Sequence, residues 1–544
     1  MTSFKSKLSA LCLCLFAFDA AAQDSVYTVP PVTLFPLKKM ETNSYGLTVA
    51  EENDFLNENV WKNATYSSIA DKISRLPASL PAKAEELRLT LLKLTAEAPQ
   101  GSEDQSFITL RLQELFNRGQ FEDVYELMQK IPEHRRTEKQ NKIYADVLLT
   151  RDLKKACALA DRINNDQFEQ EFSAVCAALN QDSDKAFLSL DLLTEEGKTD
   201  LFVKNAVEHF LYQKPLTERK RKQTPLSAAV WRQCGLDLTE LLRTNSPIWF
   251  NAMIVRDGTV PVDIRLSVAE KLVQKGLYPP TKLRDLYQRA SVEENKNKKQ
   301  TEALKRANAV QQAAALSDSL QDNLKKQAFI RQGMASAEKD GVSYAFSAAV
   351  KDILETLKPD IDTLGTSSDI IKAFNLAGLH KQVQDWQLKA EILFPASETT
   401  ANGWYFTELS KTEKKSHLFL PSLEQMTSYE EKNKRVDKKF TAKIDRLMLT
   451  FKTLQMIQPD EKWKYTSFAK GSAEDRLARR KPAPLSDNIS AGENVLDALN
   501  EINGSYGGLL KALSLLTQAG LEREAADVAA QSIALILNPA SGNE

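Results

Sequence analysis

The sequence predicts an all-α fold, built as a superhelical solenoid of stacked antiparallel helix hairpins. Three observations predict it. Gly and Pro, the residues that break helices, number only 19 and 20 in 544 residues. Apolar residues recur three and four positions apart along most of the chain, as they do on one face of a helix. Polar turns separate these segments at short intervals, which is typical of helical hairpins that stack on one another.

The first 22 residues have the layout of a secretory signal peptide. Lys5 and Lys7 give a positive start, residues 8–18 form an apolar run, and three alanines precede the expected cleavage point after residue 22. The apolar run is too short to cross a bilayer as a helix. We therefore expect residues 1–22 to be removed and the mature protein to be periplasmic or secreted, in an oxidising compartment.

Charge and hydropathy argue against two classes of partner. Lys and Arg total 72, Asp and Glu total 73, and the formal net charge is −1. A chain this balanced has no overall attraction for nucleic acid or anionic lipid. After residue 22 no apolar stretch reaches the roughly 18 residues that a membrane helix needs. We expect neither a nucleic-acid partner nor a membrane span.

The helical pattern divides the mature chain into four parts. Residues 23–53 are irregular and contain the proline-rich string YTVPPVTLFP, so we expect an extended arm that is either free or laid along the first helices. Residues 54–396 carry the hairpin pattern of the solenoid. The pattern weakens over residues 397–440, where we expect a charged surface excursion. It returns over residues 441–544, which we expect to form C-terminal helical repeats and a cap.

Two cysteines are placed to form a disulfide. Without the signal peptide three cysteines remain, Cys157, Cys176 and Cys234. The first two lie in helical segments that fold back at the polar break over residues 164–166, which brings both side chains to inner faces at similar heights. We predict a Cys157–Cys176 disulfide, and two buried free thiols are the alternative. Cys234 has no evident partner, and we expect it to be buried rather than nucleophilic.

A repeat of 30–32 residues supports the hairpin interpretation. Three positions in one helix recur 32 residues later and again 30 residues after that. Small or apolar residues at fixed offsets indicate one helix of each stacked hairpin. The three sets are Val124, Met128 and Ile131; Ala156, Ala160 and Ile163; and Ala186, Leu190 and Leu193.

At residues 110–132 the chain resembles the tetratricopeptide-like helical repeats. Gly119 and Phe121 stand where that repeat has its turn glycine and the following aromatic residue, and Pro132 stands near its terminal proline. A valine replaces the usual small residue of the second helix, and the leading Trp is missing. The resemblance covers residues 105–195. It implies a superhelical architecture that binds peptides or proteins.

The chain also resembles uncharacterised exported α-solenoid proteins of Gram-negative bacteria. In shape it is similar to the non-catalytic, superhelical part of soluble lytic transglycosylases. The catalytic domain of that enzyme has a Glu-Ser start and a glycine-rich active-site segment, and this sequence contains neither. The resemblance therefore implies a shape and not an activity.

The sequence contains no recognisable catalytic, cofactor or metal motif. Its four histidines, His134, His209, His380 and His417, are not spaced as metal ligands, and no Gly-x-Ser-x-Gly nucleophile elbow occurs. The string GSYGG at residues 504–508 precedes a helix and is interpreted as an inter-helix turn, with an anion site as the alternative. We predict no catalytic residues, no cofactor and no metal site.

These features predict a non-enzymatic adaptor or scaffold of the periplasm or cell envelope. A protein or peptide partner, or the peptidoglycan wall, would bind in the concave face of the solenoid. Candidate partner-binding residues are Arg111, Arg118 and Tyr125, near the best-formed repeat. Two alternatives stay open: a wall-associated hydrolase or transglycosylase-like enzyme, and a purely structural spacer. A raised-pKa acid in a deep pocket would favour the enzyme, and a broad groove without one would favour the adaptor.

Overall fold

Most of the described part of the chain is helical, as the composition predicts. The computed structural model contains α-helices and short 3-10 helices, with two isolated β-bridges and no β-strand among the described residues. These residues all belong to one structural unit, which begins at Glu41. Within them no helix has the length and apolarity needed to cross a bilayer. The structure describes residues 41–49, 55–163, 166–198, 200–216, 223–290, 301–395, 397–410, 428, 431–432, 438–456 and 490–537.

The helices follow one another along the chain, mostly through short connections. The first thirteen described are α1 (Tyr66–Ser74), α2 (Ala82–Lys93), α3 (Ser106–Asn117), α4 (Phe121–Lys130), α5 (Glu138–Leu149), α6 (Leu153–Cys157), α7 (Asp166–Leu179), α8 (Ser183–Glu195), α9 (Leu201–Tyr212), α10 (Pro225–Gln233), α11 (Ile248–Arg256), α12 (Val262–Gln274) and α13 (Pro280–Arg289). The others described are α14 (Glu302–Ala314), α15 (Leu320–Lys339), α16 (Ser343–Ala349), α17 (Lys351–Thr356), α18 (Ser368–Leu376), α19 (His380–Leu393), α20 (Glu398–Ser410), α21 (Lys438–Thr453), α22 (Ala491–Glu501), α23 (Tyr506–Gln518), α24 (Glu522–Gln531) and α25 (Ile533–Leu537). Short 3-10 helices cover Thr42–Ser44, Glu133–Arg135, Ala160–Arg162, Leu238–Leu241 and Leu364–Thr366.

Reciprocal side-chain caps set the starts of α5 and α10. Thr137 Oγ1 accepts a hydrogen bond from the Gln140 backbone N–H at 3.3 Å, and the Gln140 side chain accepts one from the Thr137 N–H at 3.1 Å. Thr224 and Ser227 make the same pair at α10, where Pro225 occupies the first helical position. These caps satisfy N–H groups that a helix start leaves unpaired, so each helix begins at a defined residue.

The best-formed repeat folds into a pair of packed helices. α3 and α4 contact each other and are joined by a turn at Gly119, whose φ is +70°. A side chain at Gly119 would strain this left-handed backbone, and its Cβ would overlap the Cβ of Ala252 in α11. The apolar positions of the 30–32-residue repeat are buried, except for the partly buried Ala160. Helices adjacent in sequence also pack together later in the chain, as in the pairs α7–α8, α14–α15 and α19–α20.

The structure confirms the predicted disulfide. Cys157 ends α6 and Cys176 lies in α7, with their Cα atoms 5.3 Å apart and their sulfurs bonded. The bond joins α7 to α6, which itself packs against α5 and α10. Cys234 is a free, half-buried thiol, and burial raises its pKa to about 11. A thiol with this pKa is protonated at neutral pH and is therefore a poor nucleophile.

Helices from the beginning and the end of the described unit pack against each other. α1 and α2 contact α22, and α2 also contacts α24. The Gly492 N–H donates to the Val60 carbonyl oxygen at 2.9 Å, and the Trp61 ring covers Gly492. The Lys83 N–H donates to the Gln531 side chain at 2.8 Å, which caps the start of α2. An open array in which each repeat contacts only its neighbours does not predict these contacts.

The described part of the N-terminal arm lies along the first helices. The Leu47 N–H donates to the Lys93 carbonyl oxygen at 2.7 Å, and the Thr95 N–H donates to the Thr48 carbonyl oxygen at 2.7 Å. Residues 41–49 therefore take the second of the two arrangements that the sequence left open. The predicted signal peptide and the rest of the arm lie outside the described residues.

A segment expected at the surface is instead a buried helix. The sequence predicts a charged surface excursion over residues 397–440, but Glu398–Ser410 forms α20, and eleven of its 13 residues are buried. α20 contacts α18, α19 and α24, and the Trp404 ring packs on Phe451 of α21. A helix enclosed on all sides has no polar face, so it lacks the period that reveals helices in a sequence. Residues 411–427 of the expected excursion lie outside the described residues.

The first prediction concerns the packing of α1 and α2 against the C-terminal helices. We expect Gly492→Ala to lower the free energy of unfolding by about 1–3 kcal/mol, because the new methyl group overlaps the buried Trp61 ring. Gly507→Ala is the matched control, since nothing lies within 4 Å of the Cβ it adds. Urea unfolding followed by circular dichroism measures both. Equal stability of the two variants would show that this packing is loose.

Candidate functional site

A cavity of about 980 Å³ lies between α5, α7, α9 and α10. This volume is at the upper end of the range for ligand sites, and the lining combines apolar walls with a few polar side chains, as such sites do. The lining residues are Lys142, Asp146, Phe168, Glu171, Val175, Asp200, Phe202, Val203, Thr224, Pro225, Leu226, Ser227, Val230 and Arg243.

Helical spacing places the side chains of two walls. Lys142 and Asp146 lie one turn apart on α5, so both face the cavity. Phe168, Glu171 and Val175 follow the three- and four-residue spacing of one face of α7. The residue after Val175 is the disulfide-bonded Cys176, so the covalent link to α6 is attached to this wall one residue from the cavity lining.

The other two walls come from the starts of α9 and α10. Asp200 precedes α9, and its carboxylate accepts a hydrogen bond from the Phe202 N–H at 2.8 Å. Thr224 caps α10 in the same way through the Ser227 N–H. Each cap fixes the residue at which its helix begins. It therefore also fixes the direction of the first apolar side chains of the two helices that line the cavity, Phe202 in α9 and Leu226 in α10.

Asp146 is the buried charged group of this cavity. Its side chain is 8% exposed, and Oδ2 lies 3.1 Å from the Lys142 Nζ. Its Oδ1 is buried without a hydrogen-bond partner. Burial raises the pKa of Asp146, and the attraction of Lys142 opposes part of that rise. The Lys142 ammonium also lies 4.5 Å from the centroid of the Phe168 ring. The carboxylate therefore has one paired and one unpaired oxygen.

The charges around the cavity nearly cancel. Lys142 and Arg243 are cationic, whereas Asp146, Glu171 and Asp200 are acidic. A strongly charged ligand of either sign would therefore meet like charge. Among the described residues, no group of three or more His, Cys, Asp or Glu side chains is placed to hold a metal ion.

A second, smaller cavity of about 320 Å³ lies where α2 and α24 meet helices from the middle of the chain. Tyr344 and Asp527 line it, and burial raises the pKa of Tyr344 to about 12 and raises that of Asp527. Its cations Lys83 and Lys351 are partly or fully exposed. The larger cavity is the stronger candidate, because it contains a buried carboxylate with spare hydrogen-bonding capacity.

None of the three residues predicted to bind a partner lines either cavity. Arg111 is 1% exposed and donates hydrogen bonds to the carbonyl oxygens of Leu92, Leu94 and Tyr45, each at 2.7 Å. It therefore fastens the N-terminal arm to the end of α2. Burial lowers its pKa to about 10. Arg111 is therefore a buried residue that stabilises the fold, because it donates its hydrogen bonds inside the chain and not at a surface.

Arg118 and Tyr125 differ in exposure. Arg118 is 7% exposed and donates to the Ala78 carbonyl oxygen at 2.8 Å, so its contacts are also internal. Tyr125 is half-buried beside Tyr144, with ring centroids 5.8 Å apart, and Arg151 lies over its ring. Partner binding through these residues stays a prediction, and of the three Tyr125 is the best exposed.

The sequence did not indicate the residues of the larger cavity. A Lys–Asp pair four residues apart in the otherwise apolar string KIYADVLL was the available signal, because charges on a buried helix face are unusual. The other walls come from segments up to 101 residues further along the chain, and no local pattern brings them together. Of the string GSYGG at residues 504–508, Gly504 and Ser505 end the connection between α22 and α23, and the other three residues begin α23. Ser505 caps this helix, because its Oγ accepts a hydrogen bond from the Gly508 N–H at 3.0 Å.

Comparisons of this chain with protein-family models, with curated proteins and with solved structures found no match. The fold and the site therefore define its class: an all-helical protein with a disulfide-supported, ligand-sized cavity of balanced charge.

A buried carboxylate beside Arg118 generates a second prediction. Glu85 is 1% exposed and lies 3.5 Å from Arg88 and 3.6 Å from Arg118, too far for hydrogen bonds. Burial therefore outweighs the attraction of Arg118 and Lys275 and raises the pKa of Glu85 to about 7. The folded chain retains a proton that the unfolded chain releases near pH 4.5, so stability falls as the pH rises between these two values.

We expect this fall to be about 3 kcal/mol between pH 4.5 and pH 7 and to be absent from Glu85→Gln. Urea unfolding at a series of pH values measures it. Glu86→Gln is the control, since the Glu86 side chain is 61% exposed and its replacement leaves the fall in place. Parallel pH profiles for the wild type and Glu85→Gln would contradict the assignment.

The disulfide generates a third prediction. Replacing Cys157 and Cys176 together by Ser removes a link between residues 19 apart in sequence. We expect a loss of about 3 kcal/mol in the free energy of unfolding. Without the bond the unfolded chain is no longer closed into a loop, so its conformational entropy rises. Cys234→Ser is the control and should change stability little. An unchanged stability of the double variant would mean that α7 is held by packing alone.

Proposed function

We propose that this protein is an exported, non-enzymatic adaptor that takes a segment of a protein partner into the cavity between α5, α7, α9 and α10. The observation that carries the proposal is the cavity itself: about 980 Å³, apolar over much of its lining, and nearly balanced in charge. A segment of polypeptide brings apolar side chains and backbone hydrogen-bonding groups together, which matches such a lining.

Further observations support the compartment in which the adaptor would act and the helical framework that would carry its cavity. The signal-peptide layout of residues 1–22 supports export. The disulfide between α6 and α7 supports an oxidising compartment, where such bonds persist. The 30–32-residue repeat and the packed helix pairs support a superhelical array of hairpins as the framework of the adaptor.

One observation favours a second candidate, an envelope enzyme that uses Asp146 as an acid. A buried carboxyl group with a raised pKa in a cavity is the arrangement that acid catalysis needs. We place it second for two reasons. Lys142 pairs with Asp146 and favours its ionised form, and the carboxylate of Asp200 is engaged in capping α9. A second catalytic carboxylate would have to be Glu171.

Photo-crosslinking in cells tests the adaptor. Benzoylphenylalanine replaces Phe168 inside the cavity, and in a control protein it replaces Leu388, which is 53% exposed on α19. We expect one dominant protein adduct from position 168 and none of the same mass from position 388. Mass spectrometry of the purified adducts identifies the partner, and thermal melting shows that both variants fold.

Two other outcomes of the crosslinking at position 168 would contradict the proposal. Adducts of wall fragments at position 168 would contradict the adaptor and favour the enzyme, whose activity Asp146→Asn should then abolish. The absence of any adduct at position 168 would remove the cavity as the binding site.

A further inference from the structure

We propose that the Asp146 carboxylate accepts a hydrogen bond from a backbone N–H of a neutral, extended peptide bound in the cavity. This inference rests on the proposed function and specifies the chemistry of the segment that the adaptor takes. It begins from the imbalance at Asp146, where Lys142 pairs with Oδ2 and Oδ1 is buried without a partner.

A hydrogen-bond donor relieves this imbalance. Leaving an acceptor buried and unpaired is costly, so a ligand that supplies a donor gains more than the bond itself. Because Oδ1 itself is buried, a ligand in the cavity reaches it when the carboxylate turns about its terminal torsion, which is soft in Asp side chains.

The surrounding charges narrow the donor to a neutral group. An ammonium at Asp146 would lie against the Lys142 ammonium, which already holds Oδ2 at 3.1 Å. An anion would face Asp146, Glu171 and Asp200 from three walls. An amide N–H carries neither penalty.

We compare two kinds of polymer that carry many neutral donors, a peptide with its amide N–H groups and a glycan with its hydroxyl groups. Glycans bind proteins largely by stacking on aromatic faces, but Lys142 covers one face of Phe168, and Phe202 packs on the Trp231 ring. The remaining lining, which includes Val175, Val203 and Val230, is suited to aliphatic side chains. The observations therefore favour the peptide.

The direction of the pH dependence follows from the groups around Asp146. Lys142 faces it from α5, Glu171 from α7, Asp200 from the start of α9 and Arg243 from beyond α10. Only the ionised carboxylate has a full set of acceptor lone pairs. Because burial raises the pKa of Asp146, binding of an N–H donor should weaken as the pH falls through that raised pKa.

The test uses two pools of random tetrapeptides, blocked at both ends and free of charged residues. One pool has ordinary amides, and the other has every backbone nitrogen methylated. Each is passed over the immobilised mature protein, and mass spectrometry measures the retained peptides. We expect the ordinary pool to be retained at pH 7.5, about tenfold less retention of the methylated pool, and less retention at pH 4.5.

Variants locate the acceptor. We expect Asp146→Asn, which keeps an acceptor oxygen, to retain more of the ordinary pool than Asp146→Leu. Asp191→Asn and Asp191→Leu, at an exposed position on α8, are the matched controls and should behave as the wild type. The comparison of the two pools needs only the wild-type protein, so it remains valid if a variant fails to fold.

Three results would overturn the inference: equal retention of both pools, stronger retention in acid, or retention of neither pool while neutral oligosaccharides bind at Asp146. The crosslinking experiment separates this failure from that of the proposed function. A protein adduct at position 168 together with equal retention of the pools leaves the adaptor standing and removes only the hydrogen bond to Asp146.

Discussion

The packing of α1 and α2 against α22 and α24 is the constraint on which the described structure depends. In an array of stacked hairpins, the first and the last hairpin each have one apolar face that no neighbour covers. Each of these two faces needs a cap or a partner. Here the two ends cover each other, with the Trp61 ring on Gly492 and the Gln531 side chain on the start of α2. These contacts join residues more than 400 positions apart, so the ends of the unit do not fray independently.

Buried charges near this packing reinforce it by satisfying backbone groups. Arg111 donates to three carbonyl oxygens, two at the end of α2 and one in the N-terminal arm. Arg118 donates to a carbonyl oxygen in the turn before α2 and lies close to Glu85. A buried guanidinium carries five donors, and each that lacks a partner is costly, so these contacts specify where the arm and the turn must lie.

The features of the fold that depend on residues close together in sequence are predictable from the sequence. The hairpin of α3 and α4, its turn at Gly119 and the Cys157–Cys176 pair follow from spacing over fewer than 30 residues. The sequence wrongly predicts that the segment of α20 lies at the surface, because an enclosed helix has no polar face to give it a helical period. The roles expected of Arg111 and Arg118 depended on exposure, which a helical period alone does not give. The cavity and the meeting of the chain ends escaped prediction because their parts lie far apart in sequence.

The disulfide lies beside the candidate site and holds one of its walls. α7 forms one wall of the cavity, and the bond at Cys176 ties that wall to α6 one residue after Val175. A cavity whose walls are fixed before a ligand arrives loses less conformational freedom on binding, so the same contacts give a higher affinity. Formation of this bond would therefore complete both the fold and the site, because the covalent link that stabilises α7 also fixes the position of Phe168 and Glu171, which line the cavity with Asp146.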